Sequence, residues 1–448
     1  MGRNRCGKSW AMVLAGLAAL AGRPALAAPE PLTLKQALRL AQNRHVEVLV
    51  ADQRVQAAMA RIGQAKSVLL PNFDVTASQY RRTVNLETFG IDPQIPGFTF
   101  DPKPPPFNVF DARIALRQTL FDLSALRQLK LAKLGTRLSQ EDRRRAEADA
   151  LALTATLYLE AQSAQRTLEN TRALVRREEA RYRLAGAERE IGLGSDLAVT
   201  QSRAALAAVR NQVAGAERDA EERRLDLAAA LGLPPEQAIR FPGSVSLGPV
   251  AAPGEAEIQS WIDQHPDLAV ARRQVDLDRQ DRSVEKADYF PKVVGAADYG
   301  ASGPDPANAT DTYNFGAGLS IPLYQGGLRE ARIREASAKL QESELRLEQL
   351  RRDREADVRS ALAALKQSIE AQRAARAGLD QSRAALNVSQ ARRESGLGSE
   401  LEVVEARREV IASQESLDQA DAAYRLAWVN LEHRLGRMQA WLEELPDS

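Results

Sequence analysis

Few residues in this sequence have types and spacing that could do chemistry. Of the three histidines, His45 and His265 occupy equivalent positions in two repeats, on helix-like runs, where a packing or surface role is commoner than metal binding, and His433 stands apart. The single cysteine, Cys6, lies in a segment that we predict to be removed, so the mature chain has no thiol for catalysis, disulfides or metal binding. The serine of Leu193-Gly194-Ser195 joins helix to helix and lacks the strand-to-helix context of a nucleophile elbow. With no Walker or dinucleotide motif either, we predict a protein that is not an enzyme and needs no cofactor or metal.

The N-terminal segment 1–27 is typical of a secretory signal peptide. It combines a basic start, an apolar stretch of about twelve residues and a small-residue cleavage site, which are respectively Arg3, Arg5 and Lys8, then residues 10–21, then Ala25-Leu26-Ala27. An uncleaved anchor helix is the alternative, but the apolar stretch is short for a membrane span. Cys6 precedes the apolar stretch, which does not fit a lipid-anchoring cysteine. The pattern therefore predicts export from the cytoplasm.

The composition indicates long helices rather than conventional globular domains. Aromatic residues make up only 5% of the 448 residues, while charged residues make up 27%. So few bulky side chains cannot fill large cores, and abundant Ala, Leu, Arg, Glu and Gln favour helices packed side by side. The net charge of +1 gives no reason to expect nucleic-acid binding.

A duplicated motif divides the chain into two halves. Gly192-Leu193-Gly194-Ser195 recurs 204 residues later as Gly396-Leu397-Gly398-Ser399, between matching helical patterns. Further equivalent pairs are His45 and His265, Lys66 and Lys286, Pro71 and Pro291, and Phe121 and Tyr324. We predict a first repeat over 28–240 and a second over 241–448, with hairpin tips at 191–196 and 395–400.

Each repeat begins with a helix that a proline ends, followed by two strands. The first such helix is predicted over 32–69. Alternation of apolar and polar residues predicts strands at about 72–82 and 107–121 in the first repeat, and at about 292–300 and 313–324 in the second. A soluble β-sandwich is one interpretation of these strands. A membrane role requires several chains to pool their strands, because four strands cannot close a barrel and lipid allows no open edge.

Long helical hairpins follow the strands. Proline-free runs over 124–190 and 328–394 would each reach about 100 Å at 1.5 Å per residue. They return through segments 196–231 and 400–435, whose small and apolar residues repeat every 3.5 positions as in a coiled coil. The many charged residues beside this seam need water on more than one side, which favours a helical wall lined by water over a solid bundle.

Taken in order, these features resemble the TolC-type outer-membrane efflux proteins. The resemblance covers essentially the whole mature chain: signal, then two copies of helix, proline, strand, Pro/Gly-rich loop, strand, long helix, glycine-containing tip and return helix. It implies a mainly α fold with a membrane β-barrel portion, in which a homotrimer pools four strands per chain into a twelve-stranded barrel above an α-helical barrel. It also implies that the protein lies in outer-membrane lipid and spans into the periplasm. Two partners are implied as well: a periplasmic adaptor and an inner-membrane transporter.

The resemblance also implies two sets of functional residues. The hairpin tips, Gly192 to Ser195 and Gly396 to Ser399, would receive the adaptor, although a helix reversal needs flexible glycines in any case. Glu402 and Glu405 match a pair of acidic residues, aspartates in the relative compared, that rings the narrow periplasmic entrance in this family. Six such carboxylates in a trimer would favour multivalent cations. An ordinary solvated helix face is the alternative, and the first repeat has no matching acidic pair.

The family resemblance leaves the cargo open. We predict a passive exit duct for small molecules such as drugs or metals, since that use is commonest in the family, with the exit duct of type I protein secretion as the alternative. A protein of another class, a periplasmic coiled-coil adaptor or scaffold, would explain the helices but not two complete repeats with paired strands.

Overall fold

The computed structural model describes residues 31–89, 103–243 and 254–446. The predicted signal peptide, 1–27, and most of the Pro/Gly-rich loop between the first two strands lie outside these residues. Contacts divide the chain into two compact units. The described part of the first unit comprises 31–41, 154–243 and 445–446, and that of the second comprises 42–89, 103–153 and 254–444.

Nine α-helices and four β-strands make up the described part of the chain. The helices are α1 (Leu34–Arg44), α2 (Val46–Ser67), α3 (Leu123–Glu190), α4 (Asp196–Ala230), α5 (Glu255–Asp263), α6 (Pro266–Ala287), α7 (Leu328–Glu394), α8 (Glu400–Arg434) and α9 (Met438–Glu444). The strands are β1 (Asn72–Arg82), β2 (Phe107–Asp122), β3 (Lys292–Gly303) and β4 (Thr310–Ser320). The two long helices have 68 and 67 residues, in agreement with the proline-free runs of the sequence. None of the described helices combines the length and the apolar character needed to cross a membrane.

The single helix predicted over 32–69 is wrong, because the chain breaks it at His45. His45 has an extended backbone (φ −62°, ψ 130°), and its Nδ1 accepts a hydrogen bond from the Glu47 amide at 3.3 Å. It therefore caps α2, satisfying an amide that the helix itself leaves free.

The second repeat uses the same device. Nδ1 of His265 accepts from the Asp267 amide at 3.1 Å, and Pro266 occupies the first position of α6. The side chain is buried, and this burial lowers the pKa of His265 although the nearby Asp267 acts in the opposite direction. The two repeat-equivalent histidines are thus helix caps. In the second repeat the His265-Pro266 pair was the sequence signal for this helix break, because a residue that precedes a proline disfavours helical backbone.

In the first unit, side chains of α3 hold the neighbouring chain segments. Tyr158 is fully buried, its hydroxyl donates to the Leu32 carbonyl at 2.7 Å, and its ring meets Phe241 edge-on at 5.2 Å between centroids. Burial raises the pKa of Tyr158, so the phenol remains a proton donor. Gln162 donates to the carbonyl oxygens of Pro242 and Gly243 at 3.2 and 3.0 Å. These bonds satisfy backbone groups where regular structure ends.

The core of the second unit lies where four helices meet. Buried aliphatic side chains from α5, α6, α7 and α8 pack together: Ile258, Ile262, Leu268, Val358, Ala361, Leu365, Leu431 and Leu435. Along α7 the buried positions include small residues, such as Ser343, Ser368 and Ser382, among larger aliphatic side chains. Small residues let the two helix backbones approach closely over a long distance.

The four strands form one antiparallel sheet in the order β1-β2-β3-β4. The register aligns Val75 with Ile114, Ile114 with Tyr299 and Tyr299 with Tyr313, so the apolar positions of all four strands share one face. That face is open: Phe315 is 77% exposed. Within the described residues, β1 and β4 are each paired on one side only.

The opposite sheet face is polar and carries an ion cluster. Arg113 on β2 donates through Nη1 to Asp298 on β3 at 3.0 Å and through Nε to Asp111 at 2.6 Å. Gly300 lies opposite Arg113, where an added Cβ would come within 2.3 Å of the Ala112 carbonyl oxygen. A sheet that is apolar on one side and charged on the other separates two solvents.

The fourth strand differs from the predicted range of about 313–324. β4 begins at Thr310 and ends at Ser320. Pro322 follows two residues later and has no amide hydrogen to donate to a neighbouring strand, so pairing ends before it. Tyr324, the partner of Phe121 in the repeat alignment, therefore lies beyond the sheet and is 82% exposed.

Candidate functional site: the two hairpin tips

The first tip is a tight turn between α3 and α4. Gly192 has a left-handed backbone (φ 77°), and the amides of Leu193 and Gly194 both donate to the Glu188 carbonyl, at 2.8 and 2.9 Å. Ser195 then caps α4 by accepting from the Ala198 amide at 3.2 Å. The four residues therefore end one helix and begin the next with their backbone groups satisfied.

The second tip repeats this geometry between α7 and α8. Gly396 has φ 74°, and the amides of Leu397 and Gly398 donate to the Arg392 carbonyl at 2.8 and 3.0 Å. Ser399 accepts from the Glu402 amide at 3.2 Å. The sequence identity of the tips is thus matched by an identical pattern of hydrogen bonds.

The turn itself accounts for the glycines. Gly192 and Gly396 adopt a conformation that side chains disfavour. An added Cβ would lie 2.8 Å from the Arg189 nitrogen at Gly194 and 3.0 Å from the Arg392 Cβ at Gly398. Helix reversal therefore explains the glycines and serines without any partner. It does not explain the leucines, which form no part of these bonds through their side chains.

Each tip presents two exposed leucines. Leu193 is 82% exposed and Leu397 is 76% exposed, and one turn into the return helices Leu197 and Leu401 are 65% and 64% exposed. Analysis of the sequence identified Leu193 and Leu397 as tip residues but missed Leu197 and Leu401. The signal was present, since the shared motif extends to Gly-Leu-Gly-Ser-acid-Leu in both copies. Single exposed leucines are common, but the same two exposed leucines recur at both tips.

Glu402 and Glu405 lie on the first turns of α8, directly after the second tip. Both are exposed, and no ion pair joins either carboxylate to a side chain that the structure describes. Val403 between them is fully buried. Residues three apart share a helix face, so the two carboxylates lie side by side on an exposed face of α8. In the first repeat Ala198 and Gln201 occupy the equivalent positions, so that tip lacks the acidic pair.

The structure brings Ser399 and Glu402 together and places the two tips in different units. Among the described residues no group of three or more histidine, cysteine, aspartate and glutamate side chains is arranged to hold a metal ion. The tips thus combine exposed leucines on hydrogen-bonded turns with an exposed pair of glutamates beside the second tip.

Comparison with protein families gives one match over both halves of the chain. The model described as "Outer membrane efflux protein" matches residues 37–233 and 258–437. Among individual proteins, the alkaline protease secretion protein AprF of Pseudomonas aeruginosa is 26% identical over 74% of this chain and 70% of its own length. The pyoverdine export outer membrane protein OpmQ of Pseudomonas putida is 25% identical over 92% of this chain and 87% of its own.

Solved structures share the fold. The outer membrane channel CmeC of Campylobacter jejuni aligns with a TM-score of 0.75 at 17% identity, over 92% of this chain and 88% of the other. The outer membrane protein VceC of Vibrio cholerae aligns with a TM-score of 0.72 at 18% identity, over 90% and 96%. At these identities the likeness concerns the fold alone.

Proposed function

The chain belongs to the outer membrane efflux protein family, and from this premise we propose that three copies form a duct through which an inner-membrane transporter, coupled by a periplasmic adaptor, expels small molecules. The chain is an outer-membrane exit channel. The observation that carries the proposal is the family match over both repeats of a chain whose sheet is apolar on one face and charged on the other. The family consists of transport ducts, and we propose that this chain has no catalytic activity and no cofactor.

The sheet edges support assembly of several copies, and the resemblance to TolC-type proteins implies that the number is three. A spanning sheet in lipid must have no open edge, and β1 and β4 are the outer strands of this one. Pairing of β4 in one chain with β1 in the next would leave no edge after three chains and would give twelve strands. The apolar face would then meet lipid, and the Arg113 cluster would line the water-filled lumen.

The tips are the proposed contact with the adaptor. Leu193 with Leu197, and Leu397 with Leu401, supply the apolar area that a helical-hairpin partner can bury. Because the turn geometry does not need these leucines, a binding role is the better explanation for their presence in both copies. The family match over both repeats gives no support to the alternative that this chain is itself an adaptor or a scaffold.

The cargo is proposed as small molecules, with protein secretion as the second candidate. The relatives are named for different exports, pyoverdine for one and alkaline protease for another. A wide aqueous duct needs few contacts specific to its cargo, so cargo class depends on the transporter recruited. The similarity to the protease secretion relative is the observation that supports protein secretion as the second candidate.

Replacing Glu402 and Glu405 together with glutamine should weaken block of the channel by trivalent cations added from the tip side. In a trimer the change removes six carboxylates from the proposed entrance, and multivalent cations bind such rings most strongly. The measurement is single-channel current in planar bilayers. The control is Glu409→Gln with Glu415→Gln, which removes the same charge from exposed positions further along α8. Equal block of both variants and the unaltered channel would show that the entrance is formed elsewhere.

Site-specific crosslinking in cells tests the proposed function directly. Glu394→Cys places the only thiol of the mature chain two residues before Gly396 and leaves the Gly-Leu-Gly-Ser turn and its cap intact. We expect capture of a periplasmic adaptor, whose associated transporter then identifies the cargo class. Ser360→Cys is the matched control, since it is exposed on the same helix about 50 Å away. Capture of nothing but further copies of this chain would contradict docking at the tip.

A further inference from the structure

A basic cleft lies where α3 begins and α6 ends. It is a cavity of about 320 Å³ in the second unit, and its lining includes four cationic side chains, Arg127, Arg279, Arg282 and Lys286, together with Leu123 and Phe290. No acidic residue lines it. Cations gathered without acids in a cleft create a positive potential that favours an anionic ligand.

The charges of the basic cleft are largely uncompensated. Arg127 donates through Nη1 to a neutral partner, the Ser283 hydroxyl, at 2.6 Å. Arg282 and Lys286 form no ion pair with any residue that the structure describes, and only Arg279 has acidic neighbours, including Glu344 at 3.4 Å. The Arg127 carbonyl also accepts from Gln280 at 3.1 Å, which fixes α3 against α6. Three cations therefore face the cleft in a fixed frame without an acidic partner.

The strand register indicates that the basic cleft faces the apolar side of the sheet. Asp288 bonds to Lys292 at 2.9 Å, and Lys292 pairs in register with Asp122, one position from the apolar pair Phe121 and Val293. Successive strand residues point to opposite faces, so Asp288 belongs to the polar side. Lys286 precedes Asp288 by two positions, about 200° around the helix, and so points away from it.

The basic cleft also lies at the level where the sheet ends. Leu123 directly follows β2, and Phe290, 50% exposed, lies two residues before β3. β2 and β3 are the central strands, so one further strand separates each of them from the edge where a neighbouring chain would join. In a membrane, lipid headgroups lie at the end of an apolar sheet face, and exposed aromatic residues are common there.

We propose that the basic cleft binds the phosphate group of an anionic phospholipid in the leaflet nearest the helices. Clusters of arginine and lysine beside a membrane surface attract anionic headgroups, and Leu123 and Phe290 suit the start of an acyl chain. The first repeat has no such site: 220 residues earlier, Met59 and Ile62 replace Arg279 and Arg282. The site therefore belongs to the second repeat alone.

The test is lipid retention by the purified full-length protein, measured by native mass spectrometry after exposure to mixed phosphatidylglycerol and phosphatidylcholine. Arg282→Gln with Lys286→Gln should lower bound phosphatidylglycerol by roughly tenfold or more, since each cation near a membrane surface favours anionic lipid appreciably. Arg282→Lys with Lys286→Arg keeps both charges and should keep the lipid. Arg61→Gln with Lys66→Gln removes the same charge at the corresponding end of α2 and should have little effect.

Two results would overturn the proposal. One is equal retention of phosphatidylglycerol by all variants. The other is binding of inorganic phosphate alone to the detergent-solubilised protein, lost in the Arg282 and Lys286 variant, with no preference for phosphatidylglycerol; this would identify a site for free anions. The inference rests on the proposed membrane orientation, and the two can be told apart. If the glutamine variant still inserts and conducts while lipid retention is unchanged, the channel stands and the lipid site fails.

Discussion

Replacing Leu193 and Leu397 together with aspartate should abolish export while leaving an assembled, conducting channel. Both side chains are more than three-quarters exposed, and neither contributes its side chain to the turn, so the change has little to disturb in the hairpins themselves. Truncating an interface hot spot costs about 2 kcal/mol or more, and burying a carboxylate in its place costs more. Two such changes are expected to reduce adaptor affinity by at least about a thousandfold.

The measurement is accumulation of several small-molecule drugs in cells whose only copy of the channel is the variant. Crosslinking yield from Glu394→Cys in the same background reports docking, and planar-bilayer conductance reports the channel. The matched control is Leu193→Met with Leu397→Met, which retains apolar side chains of similar volume and should export normally. Normal export by the aspartate variant, with conductance intact, would refute docking through the leucines.

Replacing Phe315 with lysine should prevent stable insertion of the protein in the outer membrane. Phe315 lies on β4 within the apolar face, and the register places it beside Ala297 of β3 and in line with Leu116 of β2. A lysine facing lipid near the middle of a barrel costs about 2–4 kcal/mol per copy, and a trimer carries three copies. This exceeds what a marginally stable fold tolerates easily.

The matched control is the neighbouring residue. Asn314 has the same strand and depth but points to the polar face, in register with Asp298. Asn314→Lys should therefore insert and assemble, and the pair of variants differs only in which face receives the charge. The measurement is the fraction of protein that remains in outer membranes after urea extraction, with trimer content by native gel electrophoresis. Equal insertion of both variants would mean that the apolar face does not meet lipid.

Much of this fold could be predicted from periodicity because each element meets a uniform environment. The two long helices follow from proline-free runs, and the hairpin tips follow from a repeated glycine-containing turn that ends a helix by the same physics twice. The alternation of apolar and polar residues predicted strands with one apolar and one polar face, and the sheet has these two faces. The limits appeared where one side chain overrides a pattern. His45 interrupts an otherwise continuous helical run because its ring accepts a backbone hydrogen bond.

The sequence by itself determined the duplication, the helical hairpins, the strands and the tips that we propose as contacts, because these depend on residues close together along the chain. Only the tertiary structure decided which faces and clusters form between distant segments. Arg113 reaches Asp298, and the basic cleft joins Arg127 to Arg282, across more than 150 residues of sequence. The register of β2 against β3 sets both, because pairing two strands fixes the separation of the helices that continue from them.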